Sequence, residues 1–306
     1  MYDMMKKQNF GVEIELTGIT RERAAQVIAT YYGTSSRYAG TYYKTYTATD
    51  RKGRTWKAMS DGSIRTEMKN GSRAGHDYSC EVVTPILQYE DMDDLQNIVR
   101  ELRKAGAIAN RSCGIHVYVD GKKHNAESLT RLINFATGRQ DLFYEALEIG
   151  ARADRWCHKM NKTLLNAMKA SGTSRESIEQ IWYSSVNDGY TGGINHDHYN
   201  TTRYHGINLH AFFTKGTVEF RLFNGTTHAG KIKAYVQFCL AMSAWAIDCQ
   251  DTKLYFRSCA SYTQEQKATL MMNVLTKRLG LTGPEFKTCR LHLTAPFRGE
   301  SVNDAA

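Results

Sequence analysis

Asn9 to Leu16 read N-F-G-V-E-I-E-L, with apolar and acidic side chains alternating at the period of two that marks a strand. Thr20 then caps a helix predicted over Arg21–Tyr32. Short strands are expected around 42–48 and 54–59, followed by a turn at Asp61-Gly62-Ser63 and a strand from Tyr78 to Val83, closed by Thr84-Pro85. Tyr89 to Ala105 carries the apolar stripe of an amphipathic helix and stops at Gly106. A strand at Gly114–Asp120 leads into a helical region over 125–183, in about four pieces. Residues 184–206 form a polar loop, long enough to be functional. Gly206–Phe213 and Thr217–Phe223 are expected to pair as a hairpin around Lys215-Gly216. Helices follow over Lys231–Ile247 and Thr263–Leu279, and the last dozen residues are expected to fray. Strands joined to nearby antiparallel partners, with helices inserted, define an α+β class.

Residues two apart on a strand share a face. Glu13 and Glu15 therefore point away from Val12, Ile14 and Leu16, and His116, Tyr118 and Asp120 oppose Ile115, Val117 and Val119. Asn208 and His210 oppose Ile207 and Leu209, and Glu219 and Arg221 oppose Val218, Phe220 and Leu222. One such strand is an ordinary half-exposed one. Four with Glu, His, Asn and Arg on the polar side point to chemistry. Carboxylates about 7 Å apart on one strand repel unless a cation sits between them. Carboxylates with one imidazole and no thiolate suit Mg²⁺ or Mn²⁺ better than Zn²⁺. Arg221 beside Glu219 would face an anion held by the same metals, as in phosphoryl transfer from a nucleotide.

Composition narrows the class. Apolar residues make up 42% of the 306, enough for a packed core, and 40 Lys and Arg against 31 Asp and Glu leave +9, suited to an anionic ligand. Seven cysteines without a C-x-x-C pair fit a reduced cytoplasm, and no apolar stretch reaches the length of a membrane span. A cytoplasmic protein without a membrane segment is expected.

Six segments, F-G-V-E-I-E-L at 10–16, D-G-S-I at 61–64, E-V-V-T-P at 81–85, C-G-I-H-V-Y-V-D at 113–120, R-Y-H-G-I-N-L at 203–209 and T-V-E-F-R-L-F at 217–223, stand in an order that resembles the amidoligase family. Its members are carboxylate–amine ligases related to glutamine synthetase and glutamate–cysteine ligase. The resemblance implies a glutamine synthetase-like fold, a curved, mainly antiparallel sheet with helices on its convex face. Its catalytic domain would span 1–250, with a helical insertion at 125–183 and a mobile loop at 184–206. Residues 251–306 would be a helical extension of the same globule. The resemblance further implies that Glu13, Glu15 and Glu81 ligate metal, and that His116 and Glu219 hold the ion bridging the phosphates of ATP. Arg221 would contact those phosphates, Arg203 and Asn208 would lie near them and the acceptor carboxylate, and Asp61 would bind the amine or assist its deprotonation. ATP with Mg²⁺, or Mn²⁺ in its place, would drive an acyl-phosphate reaction between a small-molecule or peptide carboxylate and an amine. An oligomer is compatible with this reading. Gly189, Gly192 and Gly193 are candidate hinges of a lid.

Other readings compete. Gly225-Thr-Thr-His-Ala-Gly-Lys231 fits G-x-x-x-x-G-K, yet Ile232 replaces the hydroxyl residue a P-loop needs, so a plain strand-to-helix turn is expected. His196, His198, His205 and His210 crowd one stretch without regular ligand spacing. Cys113, Cys157 and Cys259 have no partner set, so core packing is their default role. The basic, Tyr-rich run Arg37–Lys57 would suit single-stranded nucleic acid, but a strand-binding module has no use for E-x-E beside E-x-R. Phosphotransfer of the guanidino-kinase type would share the ligase fold.

Overall fold

The computed structural model describes residues 2–185, 193–249 and 258–300. In chain order the elements are α1 (Tyr2–Lys6), β1 (Phe10–Leu16), α2 (Arg21–Tyr32), β2 (Ser36–Tyr38), β3 (Tyr46–Thr49), β4 (Thr55–Met59), β5 (Cys80–Val83), α3 (Met92–Lys104) and β6 (Gly114–Asp120). Then come α4 (Ala126–Thr137), α5 (Gln140–Ala146), α6 (Lys162–Ser171), α7 (Arg175–Ser185), β7 (Ile207–Asn208), α8 (His210–Lys215), β8 (Thr217–Asn224), α9 (Ala229–Asp248), α10 (Gln264–Asn273) and α11 (Lys287–Thr294). The strand order is β2-β3-β4-β5-β1-β6-β8-β7. The pairs β1–β5, β2–β3, β3–β4, β4–β5 and β7–β8 are antiparallel, which makes the fold α+β. No helix among the described residues is long and apolar enough to cross a membrane.

The chain divides into two compact units. In the unit built from Asn9–Val117 and Phe223–Val236, the even-numbered residues of the central strands form an oily back. Ile14, Ala48, Trp56, Ala58 and Val82 are all buried there. α2 packs against β2, β3 and β4, with Tyr32 lying 6.1 Å from Trp56 between ring centroids. The Thr20 side chain accepts from the Arg23 amide at the start of α2, and Gly33 ends it at φ 70°, a conformation that costs a glycine nothing. Odd-numbered residues, including Glu13, Glu15, Lys57 and Glu81, share the opposite face.

In the unit built from Met1–Gln8, Tyr118–Leu222 and Gln237–Val302, the helices expected over 125–183 resolve as α4 to α7 with an intervening 3-10 turn at Gly150–Asp154. The expected hairpin is corrected here. Only Ile207–Asn208 is strand; the chain then turns into α8, which Gly216 closes at φ 74°. The cause is visible in burial, because Ala211, Phe212 and Phe213 are all inside, and a strand cannot turn three successive side chains to one core. His210 therefore starts a helix rather than standing on a strand face. Of the expected loop, Thr201–Tyr204 forms a 3-10 turn with Thr202 fully buried, while the hinge candidates Gly189 and Gly192 lie outside the described residues. Part of the tail expected to fray is ordered: Ala295–Arg298 is a 3-10 turn with Ala295 and Phe297 buried.

The G-x-x-x-x-G-K segment forms the expected strand-to-helix turn. The Gly225 amide donates to the Cys113 carbonyl at 2.8 Å, and a Cβ there would sit 2.5 Å from the Cys113 Cβ and 2.9 Å from its carbonyl oxygen. The glycine is needed for a close backbone approach. Gly225→Ala is therefore expected to lower stability by about 1–3 kcal/mol, the usual cost of overpacking, read as a drop in Tm.

One ionic network ties the β3–β4 turn to the start of α3. Arg54 donates two hydrogen bonds to the Asp91 carboxylate (2.7 and 3.0 Å) and one to Asp50 (2.7 Å), and Lys52 reaches Asp91 at 3.0 Å. Burial pushes the Asp91 carboxyl up, but bonds from Arg54, the Gln88 amide and Lys52 outweigh it and hold it at about 2, below the ordinary 3.8. A depressed carboxyl adds stability above its unfolded pKa and loses it as pH falls through the folded value. Asp91→Asn should cost about 2 kcal/mol at pH 7. The gap in Tm between variant and parent should narrow steadily from pH 4 toward pH 2.

Candidate active site

The first cluster lies in the unit that holds β1 and β5. Glu15 stands directly opposite Glu81 across the β1–β5 ladder, and Glu13 opposite Val83, so the three carboxylates share one face. β6 adds His116, whose Nδ1 lies 3.1 Å from Glu13 Oε2 and whose Nε2 lies 3.7 Å from Glu15 Oε1. Glu15 Oε2 accepts from the Gly114 amide at 2.6 Å, which fixes that carboxylate on its strand. Asp61 joins from the turn after β4. Two sets result, Glu13–Glu81–His116 and Glu15–Asp61–Glu81, each with its ligand atoms within 4.8 Å of one another.

Glu15 is 4% exposed, Glu81 8% and His116 4%. Carboxylates so close and so dry repel strongly unless positive charge joins them. The donors are hard oxygens with one imidazole and no thiolate, a set that fits a divalent cation of the Mg²⁺ or Mn²⁺ kind. Glu13, Glu15 and His116 are expected on polar strand faces, and Glu81 and Asp61 as site residues only from the resemblance; the structure brings all five together.

Asp61 owes its position to a residue the sequence reading missed. Its amide donates to the Ser79 Oγ at 3.0 Å, and that hydroxyl donates back to the Asp61 carbonyl at 2.6 Å. Arg21, 3% exposed, in turn donates to the carbonyls of His76 and Ser79 and to the Asp77 carboxylate. An arginine in the first turn of a helix opposes the helix dipole, and that misplacement was the available sign that Arg21 serves a tertiary contact.

The second cluster lies in the unit that holds β7 and the first six residues of β8. Asn208 faces Glu219 across that pair, and its Nδ2 donates to Glu219 Oε2 at 2.6 Å. Arg221 Nη1 donates to the other oxygen at 2.6 Å, while its Nε reaches the Trp156 carbonyl at 3.3 Å. Both Glu219 oxygens are thus engaged, with the Glu219 and Arg221 side chains only 3% and 6% exposed. Arg203 donates to the His198 carbonyl at 2.8 Å, and the Arg203 and Arg221 guanidinium carbons lie 5.7 and 5.8 Å from the Tyr204 ring centroid.

A cavity of about 120 Å³ opens here, lined by His196, His198, Arg203, Asn208, His210 and Glu219, among others. Burial, with the Arg203 charge adding to it, lowers His210 to about 4, so it is neutral at pH 7, hydrogen-bonded through Nδ1 to the Tyr183 hydroxyl at 2.7 Å. His205 turns elsewhere, its Nδ1 3.0 Å from the Thr202 carbonyl. The histidines form no metal-ligating group of three among the described residues. Arg203, Asn208, Glu219 and Arg221 therefore assemble as one polar cluster, and Glu13, Glu15, Asp61, Glu81 and His116 as another.

The cysteine defaults agree with burial. Desolvation raises the Cys157 thiol to about 11 and also raises Cys259, the opposite of what activates a nucleophile. Cys113 is 1% exposed.

Compared with known proteins, the chain finds no match among curated ones. Residues 6–243 match the family model described as "Putative amidoligase enzyme". That span covers most of the chain and contains every residue of both clusters. The chain therefore belongs to the amidoligase family.

Proposed function

We propose that the protein is an ATP-dependent carboxylate–amine ligase with a glutamine synthetase-like catalytic fold, forming an amide or isopeptide bond through an acyl phosphate. The observation that carries this reading is the cluster of four carboxylates and one imidazole in a member of the amidoligase family. Glu13, Glu81 and His116 would hold a divalent cation, and Glu15 would serve a second one beside Glu81. Such cations, when bound, neutralise the charge that spreads over a transferring phosphoryl group.

The chain's own residues supply the rest. Arg203 and Arg221 bind phosphate oxygens, and Glu219 holds the Arg221 guanidinium in place. Asn208 steadies Glu219 from the other side. Asp61 is more accessible than Glu15 or Glu81 and sits beside both, so it receives the incoming ammonium and takes its proton. The acceptor is a small-molecule or peptide carboxylate. Scattered cysteines suit a reduced cytoplasm as the setting.

The test is ADP release with Mg²⁺ across a library of amino acids and amines, with product mass read in parallel. An amide is expected, and Glu15→Gln and Glu81→Gln should each lower turnover about 100-fold or more. A phosphorylated product formed without an amine would replace the ligase with a phosphotransferase. Salt-dependent binding of single-stranded nucleic acid with no ADP release would remove the enzyme reading altogether.

Lys231 separates this proposal from a P-loop enzyme. Lys231→Ala should retain most of the turnover, because its backbone amide caps onto His228 Nδ1 at 3.1 Å in the turn already described. A dead Lys231→Ala enzyme that still folds would reverse that assignment.

A further inference from the structure

The carboxylate-bearing face of the sheet continues past the cluster, and the register shows what it carries. Glu13 pairs with Val83, Val83 with Lys57, Lys57 with Thr47 and Thr47 with Arg37. Paired residues of antiparallel strands point to the same side. One row of five strands thus runs from a carboxylate of the cluster, through Lys57, to Arg37 at the strand that begins the sheet order. With strands about 4.8 Å apart, the Lys57 backbone stands about 10 Å from that of Glu13, and the Arg37 backbone about 20 Å.

Lys57 is also a diagonal neighbour of Glu81, because Met59, two residues on, is the residue paired with Glu81. Yet Lys57 and Arg37 are both exposed, and among the described residues neither side chain has a hydrogen-bond or ion-pair partner. Some other cations of this unit are matched, Arg54 with Asp50 and Asp91, Lys52 with Glu90 and Asp91, and Arg21 with Asp77; what sets Lys57 and Arg37 apart is that they stand in one row with Glu13. Two unmatched cations in line with a carboxylate cluster are complementary to an anion that lies along the face.

We propose that Lys57 and Arg37 recognise an acidic acceptor, a peptide with several carboxylates whose reacting end lies at the Glu13–Glu81–His116 cluster and whose acidic side chains follow the row outward. This rests on the ligase reading and names its substrate class. The phosphates of a nucleotide carry the same charge, but they are contiguous, whereas Lys57 and Arg37 stand two strands apart with Thr47 between them. An extended peptide advances about 3.4 Å per residue, so three or four residues span each interval along the row.

The experiment measures binding to the full chain without turnover, using fluorescently labelled octaglutamate, long enough to pass both cations, and, separately, Mg²⁺ with a non-hydrolysable ATP analogue. Lys57→Gln and Arg37→Gln should each weaken octaglutamate binding about two- to fivefold, the scale of exposed charge pairs, and the double variant more. Lys57→Arg should restore it. The parent's octaglutamate affinity should fall with salt more steeply than the double variant's, and nucleotide affinity should stay within about twofold. Unchanged octaglutamate binding in the double variant would overturn the proposal, as would a loss confined to the nucleotide. Because no product is measured, failure here reads separately from failure of the ligase reading, which would appear as absent ADP release in the parent chain.

Discussion

Like charges pressed together are the constraint around which this chain is organised. Antiparallel pairing of β1 with β5 sets Glu15 against Glu81, and β6 brings His116 to within hydrogen-bond reach of Glu13. Water is nearly excluded, so the carboxylates cannot relax by hydration, and ionised together they repel unless positive charge joins them. On the proposed reading a cation supplies that charge, and the repulsion it relieves becomes affinity for it.

The second cluster resolves the same problem internally. Glu219 is as buried as Glu15, but Asn208 and Arg221 each occupy one of its oxygens. Paired in this way, Glu219 gives the Arg221 guanidinium a rigid support. Carboxylates of equal burial thus meet different surroundings, according to what faces them across the strand pair.

Positioning depends on residues with no chemistry of their own. Arg21 and Ser79 hold the turn that presents Asp61, and Gly206, whose Cβ would collide with Leu222 and the Tyr144 hydroxyl, lets two backbone segments meet where the Arg221 amide bonds to its carbonyl. The Gly225 contact with Cys113 is a third example. What resembles a phosphate-binding glycine in the sequence is a packing glycine in the fold.

Much was legible in the chain itself. The period-two alternation of N-F-G-V-E-I-E-L and G-I-H-V-Y-V-D set the strands and assigned Glu13, Glu15 and His116 to polar faces, because strand geometry leaves no alternative. Helices with a cap and an apolar stripe, such as α2 and α3, were equally plain. The segment after Asn208 was not, since I-N-L-H-A-F-F fits an alternating strand and a helix alike, and only the joint burial of Ala211, Phe212 and Phe213 selects α8. Local sequence therefore determined which side chains share a strand face. The tertiary structure decided which strands became neighbours, and so that Glu15 meets Glu81 while Glu219 meets Asn208, because register between distant strands depends on long-range packing that no local pattern encodes.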